Sequence, residues 1–505
     1  MTIERFLFGS ISFKPFLHFG LLLFVSAFLL SCGSSKTASD NYRAEDEEVV
    51  VVLDEEEDNN DELRDAATAV PDEIEEFTVD GLKVILRPTG SSFHTVVAKL
   101  FIRGGLPALP DGVSPAVEQM TLDVPRFSGP SWIDRSDFLR ERDRMHLGLG
   151  ATAERDFSTL TLRCVDENFD RAWELFSGMI VEPGFDPIAM ENIRERAITG
   201  IRNRKIVPES YAKYLADSVF FYGHPYSRVA QEEDFKKISV NDLQKYHDEL
   251  FVKSRLFLVV VGNVSRKEIT EKIKASLAKL PKGNYRDPVV SVPQNANHSS
   301  LLVINPWGRE AIPTSYLVAR HSGPGHNDDL FYAMERLRSF VGGFLFREVR
   351  IKRNLSYAPD AATYNNSIGF GDISISTALP DSAWRVTKRE ILDFFQDNLI
   401  HEQYLSRVPA TWYTGQYLDM QTAESQATEL GTAWFHKGDW REAYRAPLRH
   451  TEVSPEELNE AAQKYMENFT IVIVGNPDAV TRSEYIPEDV DGEAGSSSEV
   501  PGARQ

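Results

Sequence analysis

At 505 residues the chain is long enough for two or more domains, each burying its own core. Its 42% hydrophobic and 26% charged residues are those of a globular protein. A formal charge of −21 excludes a nucleic-acid partner, since phosphate binding needs a basic surface.

Residues 1–31 read as an export signal. Arg5 and Lys14 flank a short N-terminal region, and the apolar run from Phe16 to Leu30 ends in Leu29-Leu30-Ser31-Cys32. That ending resembles the bacterial lipobox, in which the cysteine becomes the lipidated first residue of the mature protein. The alternative is an uncleaved anchor, for which the run is short and holds His18 and Gly20. Gly33-Ser34 after Cys32, with no aspartate, fits sorting to the outer membrane, facing the periplasm. The only other cysteine is Cys164, so acylation of Cys32 leaves no intramolecular disulfide, and Cys164 is expected in the core.

Residues 32–73 form an acidic segment. Between positions 45 and 62 stand eleven acidic side chains and no basic one, so self-repulsion predicts an extended, solvated tether. Calcium or partner binding is the alternative, and Val49–Leu53 is an apolar island that could add to a sheet edge. Residues 486–505, rich in Gly, Ser and Glu, are expected to be a disordered tail.

The body between them says one thing twice. An Asp-Gly turn between alternating runs predicts a hairpin over Phe77–Leu86. Thr95 to Ile102 reads as a strand, followed by Gly104-Gly105 and a helix opening at Gly112-Val113-Ser114-Pro115-Ala116-Val117-Glu118-Gln119-Met120. Taken alone, Ser114-Pro115 is an ordinary capped helix start. Further on, the buried-strand run Leu258–Asn263 returns as Ile471–Asn476, 213 residues later. The N-cap serines Ser239 and Ser454 lie 215 apart. The helical face of Phe169, Ala172, Trp173, Phe176 and Ile180 returns around Trp384, Ile391, Phe395 and Leu399, with 211 residues between the tryptophans. The strands Thr159–Cys164 and Asp372–Ser376 precede these helices. An internal duplication follows, giving an α+β fold of two homologous domains over 74–280 and 298–485 with a linker at 281–297. Each is expected to be a largely antiparallel sheet with helices packed on one face.

These features resemble the pitrilysin/insulinase family of inverted-zincin metallopeptidases, in its short, processing-peptidase-like form. The resemblance rests on the Phe77–Arg87 hairpin, Tyr222-Gly223-His224-Pro225-Tyr226, the Leu258–Asn263 strand, and the stretch from Val341 through Arg350 to Tyr357. In that family the motif His-x-x-Glu-His places two imidazoles on one helix face to hold zinc, and the glutamate activates the bound water. Here the ligand positions hold Pro115 and Gln119, and Glu118 is the remnant of the general base. The third ligand, within Glu-Arg-x-x-x-x-x-Glu, falls on Arg202 after Glu195-Arg196; a shifted register puts Glu195 there. The family's asparagine beside the zinc reads approximately as Thr152. Zinc is therefore not expected.

Arg350 and Tyr357 match the arginine and tyrosine that the family uses to hold the substrate and stabilise the oxyanion. Each alone also reads as a surface arginine and a half-buried tyrosine. His321, His326, His146, His247, His436 and His450 offer no metal-ligand spacing. The resemblance implies a non-catalytic subunit that supplies Arg350 and Tyr357 to a zinc-bearing partner, or to a second copy of itself, for hydrolysis of an extended peptide. A non-enzymatic docking or assembly lipoprotein is the alternative, and an active peptidase with a non-standard site is a third.

Overall fold

The valine-rich run Leu256–Gly262 and its later copy Thr470–Val474 sit third and second in their sheets, each with one parallel and one antiparallel neighbour. These relations come from a computed structural model that describes residues 60–90, 94–308, 313–397 and 409–486. All of them lie within one compact unit, Asp58–Gln505. The first sheet comprises β1 (Glu75–Val79), β2 (Leu82–Pro88), β3 (Thr95–Arg103), β4 (Gly148–Ala153), β5 (Phe157–Val165) and β6 (Leu256–Gly262), in the order β1-β2-β6-β3-β5-β4. The second comprises β7 (Ser300–Ile304), β8 (Ser315–Gly323), β9 (Asp360–Tyr364), β10 (Gly369–Thr377) and β11 (Thr470–Val474), in the order β7-β11-β8-β10-β9.

Apart from the extra edge strand β1, the two orders superimpose strand for strand. In both, one pair is parallel and the remaining pairs are antiparallel. Asp80 and Gly81 make the β1–β2 turn with φ of 48° and 86°, the left-handed pair that such a turn requires. The helix Val240–Leu250 opens with a reciprocal Ser239/Asp242 capping box, and Pro455–Tyr465 with Ser454/Glu457. Phe169, Ala172, Trp173, Phe176 and Ile180 are all buried on one face of helix Phe169–Val181, as are Trp384, Ile391 and Phe395 in the second half. Leu399 lies outside the described residues, as do Cys32, the 1–31 signal, residues 32–59 and residues 487–505. Cys164 is buried, and burial pushes its thiol up to about 12.

Each half's own helices cover one face of its sheet. Val84, Ala98, Leu100, Leu258 and Val260 meet Met120, Trp173 and Phe176 in the first half. The opposite face is not left to solvent. On the first sheet, Ile85, Val97, Phe101, Phe257 and Val259 are covered by Ala427, Leu430, Trp440 and Tyr444, which come from helices Ala423–Lys437 and Glu442–Glu452 of the second half and the turn between them. In return, Tyr211, Ala212 and Leu215 of helix Pro208–Phe220 cover Val318, Val472 and Val474 of the second sheet. The two halves thus exchange helices. Gly431 sits directly against the Phe101 ring, where a methyl group would collide.

Polar contacts fix the same junction. Arg320 of β8 is buried and grips Asp372 through Nε and Nη2 at 2.7 and 2.8 Å, while its Nη1 donates to Asp217 of the exchanged helix. Asp217 also takes Nη2 of Arg155 at 2.7 Å. Asp156 accepts from the Tyr226 hydroxyl and from the Ser367 backbone at 2.6 Å.

The acidic tether was expected to run to residue 73, but its last part is folded. Asn60–Thr68 is a helix that packs on helices Pro409–Asp419 and Glu442–Glu452. The reason is local: the acidic run thins after Glu62, and Ala67 and Ile74 then supply buried apolar contacts. Residues 281–293 run without regular structure along the entrance to β6, where the carbonyls of Pro281 and Lys282 accept from Lys253 and Ser254.

Candidate functional site

The degenerate motif lies on helix Pro115–Asp123, whose first turn is capped by Ser114 accepting from the Ala116 amide at 3.3 Å. Pro115, Glu118, Gln119 and Asp123 line one wall of a cavity of about 810 Å³. Opposite stands the long helix Pro187–Ile206, whose Ile193, Arg196, Gly200 and Arg204 face the same space. Side chains three or four apart share a helix face, which is why these positions converge.

Arg202 does not belong to that face. Two residues on from Gly200, it points to the far side of the helix, is exposed, and pairs through Nε and Nη2 with Glu232 at 3.0 and 2.8 Å. Glu195 is also exposed and outside the cavity wall. The expected third position thus sits on the wrong side of the helix. The sequence register rests on Glu195-Arg196, whereas the inward row runs Arg196, Gly200, Arg204. Thr152 lies on β4 and shares a hydroxyl contact of 2.9 Å with Thr159.

Glu118 is held tightly. It is only 4% exposed, its Oε1 accepts from the Ser158 hydroxyl, and its Oε2 accepts from the Tyr246 hydroxyl at 2.6 Å. Burial, reinforced by the Glu118 charge, raises the Tyr246 phenol well above its ordinary range. A carboxylate bonded on both oxygens in this way is a structural anchor between helix Pro115–Asp123, β5 and helix Val240–Leu250.

The remaining charges sort into pairs and remainders. Arg126 bonds Asp123 and the Leu149 carbonyl; Arg155 bonds Asp217; Arg228 bonds Asp111 at 2.9 Å and the Leu109 carbonyl. Burial raises the Asp123 carboxyl in spite of Arg126. Arg196 lies over the Phe127 ring at 5.4 Å, and Arg204 over Tyr214 at 4.5 Å. Neither makes an ion pair among the described residues.

Zinc does not suit these residues. Pro115 has no donor atom, Gln119 offers only a neutral amide, Glu118 is already bonded, and two guanidinium groups face the space and would repel a dication. Among the described residues no cluster of three or more His, Cys, Asp or Glu is arranged to hold a metal.

Arg350 and Tyr357 are brought together elsewhere. Arg350 lies on the π-helical turn Leu345–Ile351 with its guanidinium 4.3 Å from the Tyr357 ring centre and 4.9 Å from that of Phe346. Tyr357 is 78% exposed, and Phe346 and Ile351 are exposed beside it. The turn is braced from below by Glu348, whose buried carboxylate takes Arg347, Lys352 and Arg353. Burial works against that charge, but hydrogen bonds from Arg353, Lys352 and Arg347 outweigh it and bring the carboxyl down to about 2. Neither Arg350 nor Tyr357 lines the cavity beside Pro115.

The histidines read from sequence as isolated are less so in space. His326 and His436 stack at 3.5 Å, and His450 stacks on Trp412 at 3.8 Å, in a second cavity of about 480 Å³. Sequence reading also missed Ser158, Tyr246, Arg196 and Arg204. For the arginines a signal existed, a four-residue spacing around Gly200. For Ser158 and Tyr246 nothing in the linear pattern points to Glu118.

Fold and motif together give a chain of two matching halves whose degenerate motif lacks metal-ligand chemistry. Residues 237–408 match the family model described as the peptidase M16 inactive domain. The structure is similar to that of a peptidase M16 inactive domain from Pseudomonas fluorescens, with a TM-score of 0.71 at 18% identity, covering 80% of this chain and 97% of that one. A protease from Helicobacter pylori gives 0.69 at 14% identity, covering 80% and 99%. The periplasmic protease PqqL from Escherichia coli gives 0.65 at 12% identity, covering 87% of this chain and 49% of that one, so this chain spans about half of its length. At these identities the likeness is one of fold. No curated protein matches the chain.

Proposed function

We propose that this chain is a non-catalytic peptidase subunit that binds extended peptide and supplies Arg350 and Tyr357 to a zinc-bearing partner of the same fold. The observation that carries the reading is the contrast between the two sites. Glu118 is locked into the fold by Ser158 and Tyr246, whereas the half-buried Arg350 stands against the exposed Tyr357 without a carboxylate partner among the described residues. A guanidinium and a phenol are suitable donors to a carbonyl oxygen that gains charge. The leader ending at Cys32 supports a lipid-anchored protein of the bacterial envelope, on the periplasmic side of the outer membrane.

Reconstitution tests this. The purified full chain alone is expected to retain no stoichiometric zinc and to cleave no peptide. Mixed with an M16 subunit of the same genome that carries an intact His-x-x-Glu-His, it is expected to yield chelator-sensitive cleavage that Arg350→Ala removes. Zinc-dependent cleavage by the isolated chain would overturn the proposal.

A second reading has its own support. The exposed Phe346, Ile351 and Tyr357 form, with the half-buried Arg350, an aromatic and arginine patch of the composition typical of binding hot spots. A docking or assembly lipoprotein would use the same patch without any hydrolysis. Cleavage by the assembled complex that Arg350→Ala leaves unchanged, with binding of a further protein lost instead, would favour it.

A further inference from the structure

The cavity beside the degenerate motif has kept its room and changed its charge. Where the fold's peptidases would place a metal, this chain presents Arg196 and Arg204 from one helix face, separated by Gly200, at which an added methyl would meet nothing within 4 Å. The other three arginines of the wall are satisfied by Asp123, Asp217, Asp111 or backbone carbonyls. Of the carboxylates, Glu118 is bonded on both oxygens, Asp123 and Asp217 are paired, and Glu154 is exposed at the rim. Two guanidinium groups are left over.

Arg204 is the telling one. Its Nε and Nη2 are shielded from solvent and have no hydrogen-bond acceptor among the described residues. A buried donor left without an acceptor is unfavourable, the more so when it carries charge. An anionic acceptor in the cavity that drew this side chain away from Tyr214 would satisfy those donors. A carboxylate matches the planar fork of a guanidinium through two parallel hydrogen bonds. The wall also carries apolar surface from Leu106, Leu109, Phe127, Ile193 and Phe235, beside the amide of Gln119. A bare inorganic anion would leave those surfaces unused, whereas a carboxylate carried on a peptide would fill both parts.

We propose that the cavity lined by Arg196 and Arg204 is a carboxylate-binding subsite for peptides, taking either a free C-terminus or an acidic side chain next to apolar residues. The proposal rests on the reading of this chain as a peptide-binding subunit and names the class of peptide it selects. Zinc is replaced here by fixed positive charge, so the former catalytic position becomes a recognition position.

The test uses the full chain and three fluorescently labelled peptides of one apolar sequence: amidated and neutral, with a free C-terminal carboxylate, and amidated with one internal glutamate. Binding is followed by anisotropy at low and high salt. At least one acidic peptide is expected to bind about ten-fold tighter than the neutral one, the equivalent of one charge-assisted pair, with the advantage shrinking at high salt. Which acidic peptide gains identifies the source of the carboxylate. Arg204→Gln and Arg196→Gln are expected to remove the advantage, while Arg350→Gln lowers affinity for all three peptides and keeps their ratio. Equal affinity for the three peptides by the unaltered chain overturns the subsite and leaves the peptide-binding reading standing. Failure to bind any peptide overturns both. The comparison on the unaltered chain decides the matter even if an arginine variant does not fold.

Discussion

Asp217, on the helix that the first half lends to the second sheet, is bonded to Arg320 in the middle of β8. Arg320 is almost wholly buried and depends on Asp217 and Asp372 for compensation of its charge. Removing one partner from such a cluster leaves an uncompensated buried charge, which typically costs about 3–5 kcal/mol. Asp217→Asn is therefore expected to lower the melting temperature clearly, in the unfolding of both halves. An unaltered transition would show that the contact contributes nothing.

The anchoring of Glu118 makes a prediction opposite to that for a catalytic base. Glu118→Ala would strand the Ser158 and Tyr246 hydroxyls in a buried site and open a small void, for a loss of about 1–3 kcal/mol. Denaturant unfolding measures it. A dispensable relic would give a variant as stable as the parent.

The exchanged helices can be tested with glycines. Gly431→Ala puts a methyl into the Phe101 ring and should destabilise by about 1–3 kcal/mol, as overpacking does. Gly343→Ala, at an exposed helical position with open space, should be neutral or stabilise by up to about 1 kcal/mol. If both substitutions behave alike, the helix Ala423–Lys437 does not lie on β3 as described.

Acid should act in two windows. Burial lowers His326 to about 4, His450 to about 3 and His436 to about 2, from an ordinary value of 6.5. Each is held neutral when folded, so its contribution is complete above pH 6.5 and is lost as pH falls from there towards its folded value, about 4 for His326 and about 2 for His436. Glu348, lowered from 4.5 to about 2, contributes above pH 4.5 and loses that contribution as pH falls towards 2. Melting curves should begin to decline below pH 6.5, ahead of the Glu348 window, and His436→Gln should flatten that decline. A melting temperature constant from pH 7 to 4 would contradict the buried imidazole stack.

Much of the architecture could be read from the linear pattern because the duplication left buried residues in both copies. Leu258–Gly262 and Ile471–Gly475 are apolar at every position, a signature of strands covered on both faces. What covers the second face was not legible. The Ala423–Lys437 helix meets a sheet more than 150 residues upstream in the chain, and its apolar contacts through Ala427 and Leu430 look like those of any local core helix. The site was half legible. Pro115 and Gln119 stood out because the motif chemistry needs imidazoles there, but the facing wall depended on a helix register that a two-residue error turns inside out, as Arg202 shows.

The mutual loan of helices has a consequence for biogenesis. Synthesis runs from the N-terminus, so the first sheet is complete once β6 has emerged at Gly262, yet Phe101, Phe257 and Val259 stay bare until residue 452 has followed. For that interval the nascent chain carries a greasy flank that only its own distant future can shield. Separate genes for the two halves would each encode a product with one sticky surface, and the pair would survive only by finding each other quickly.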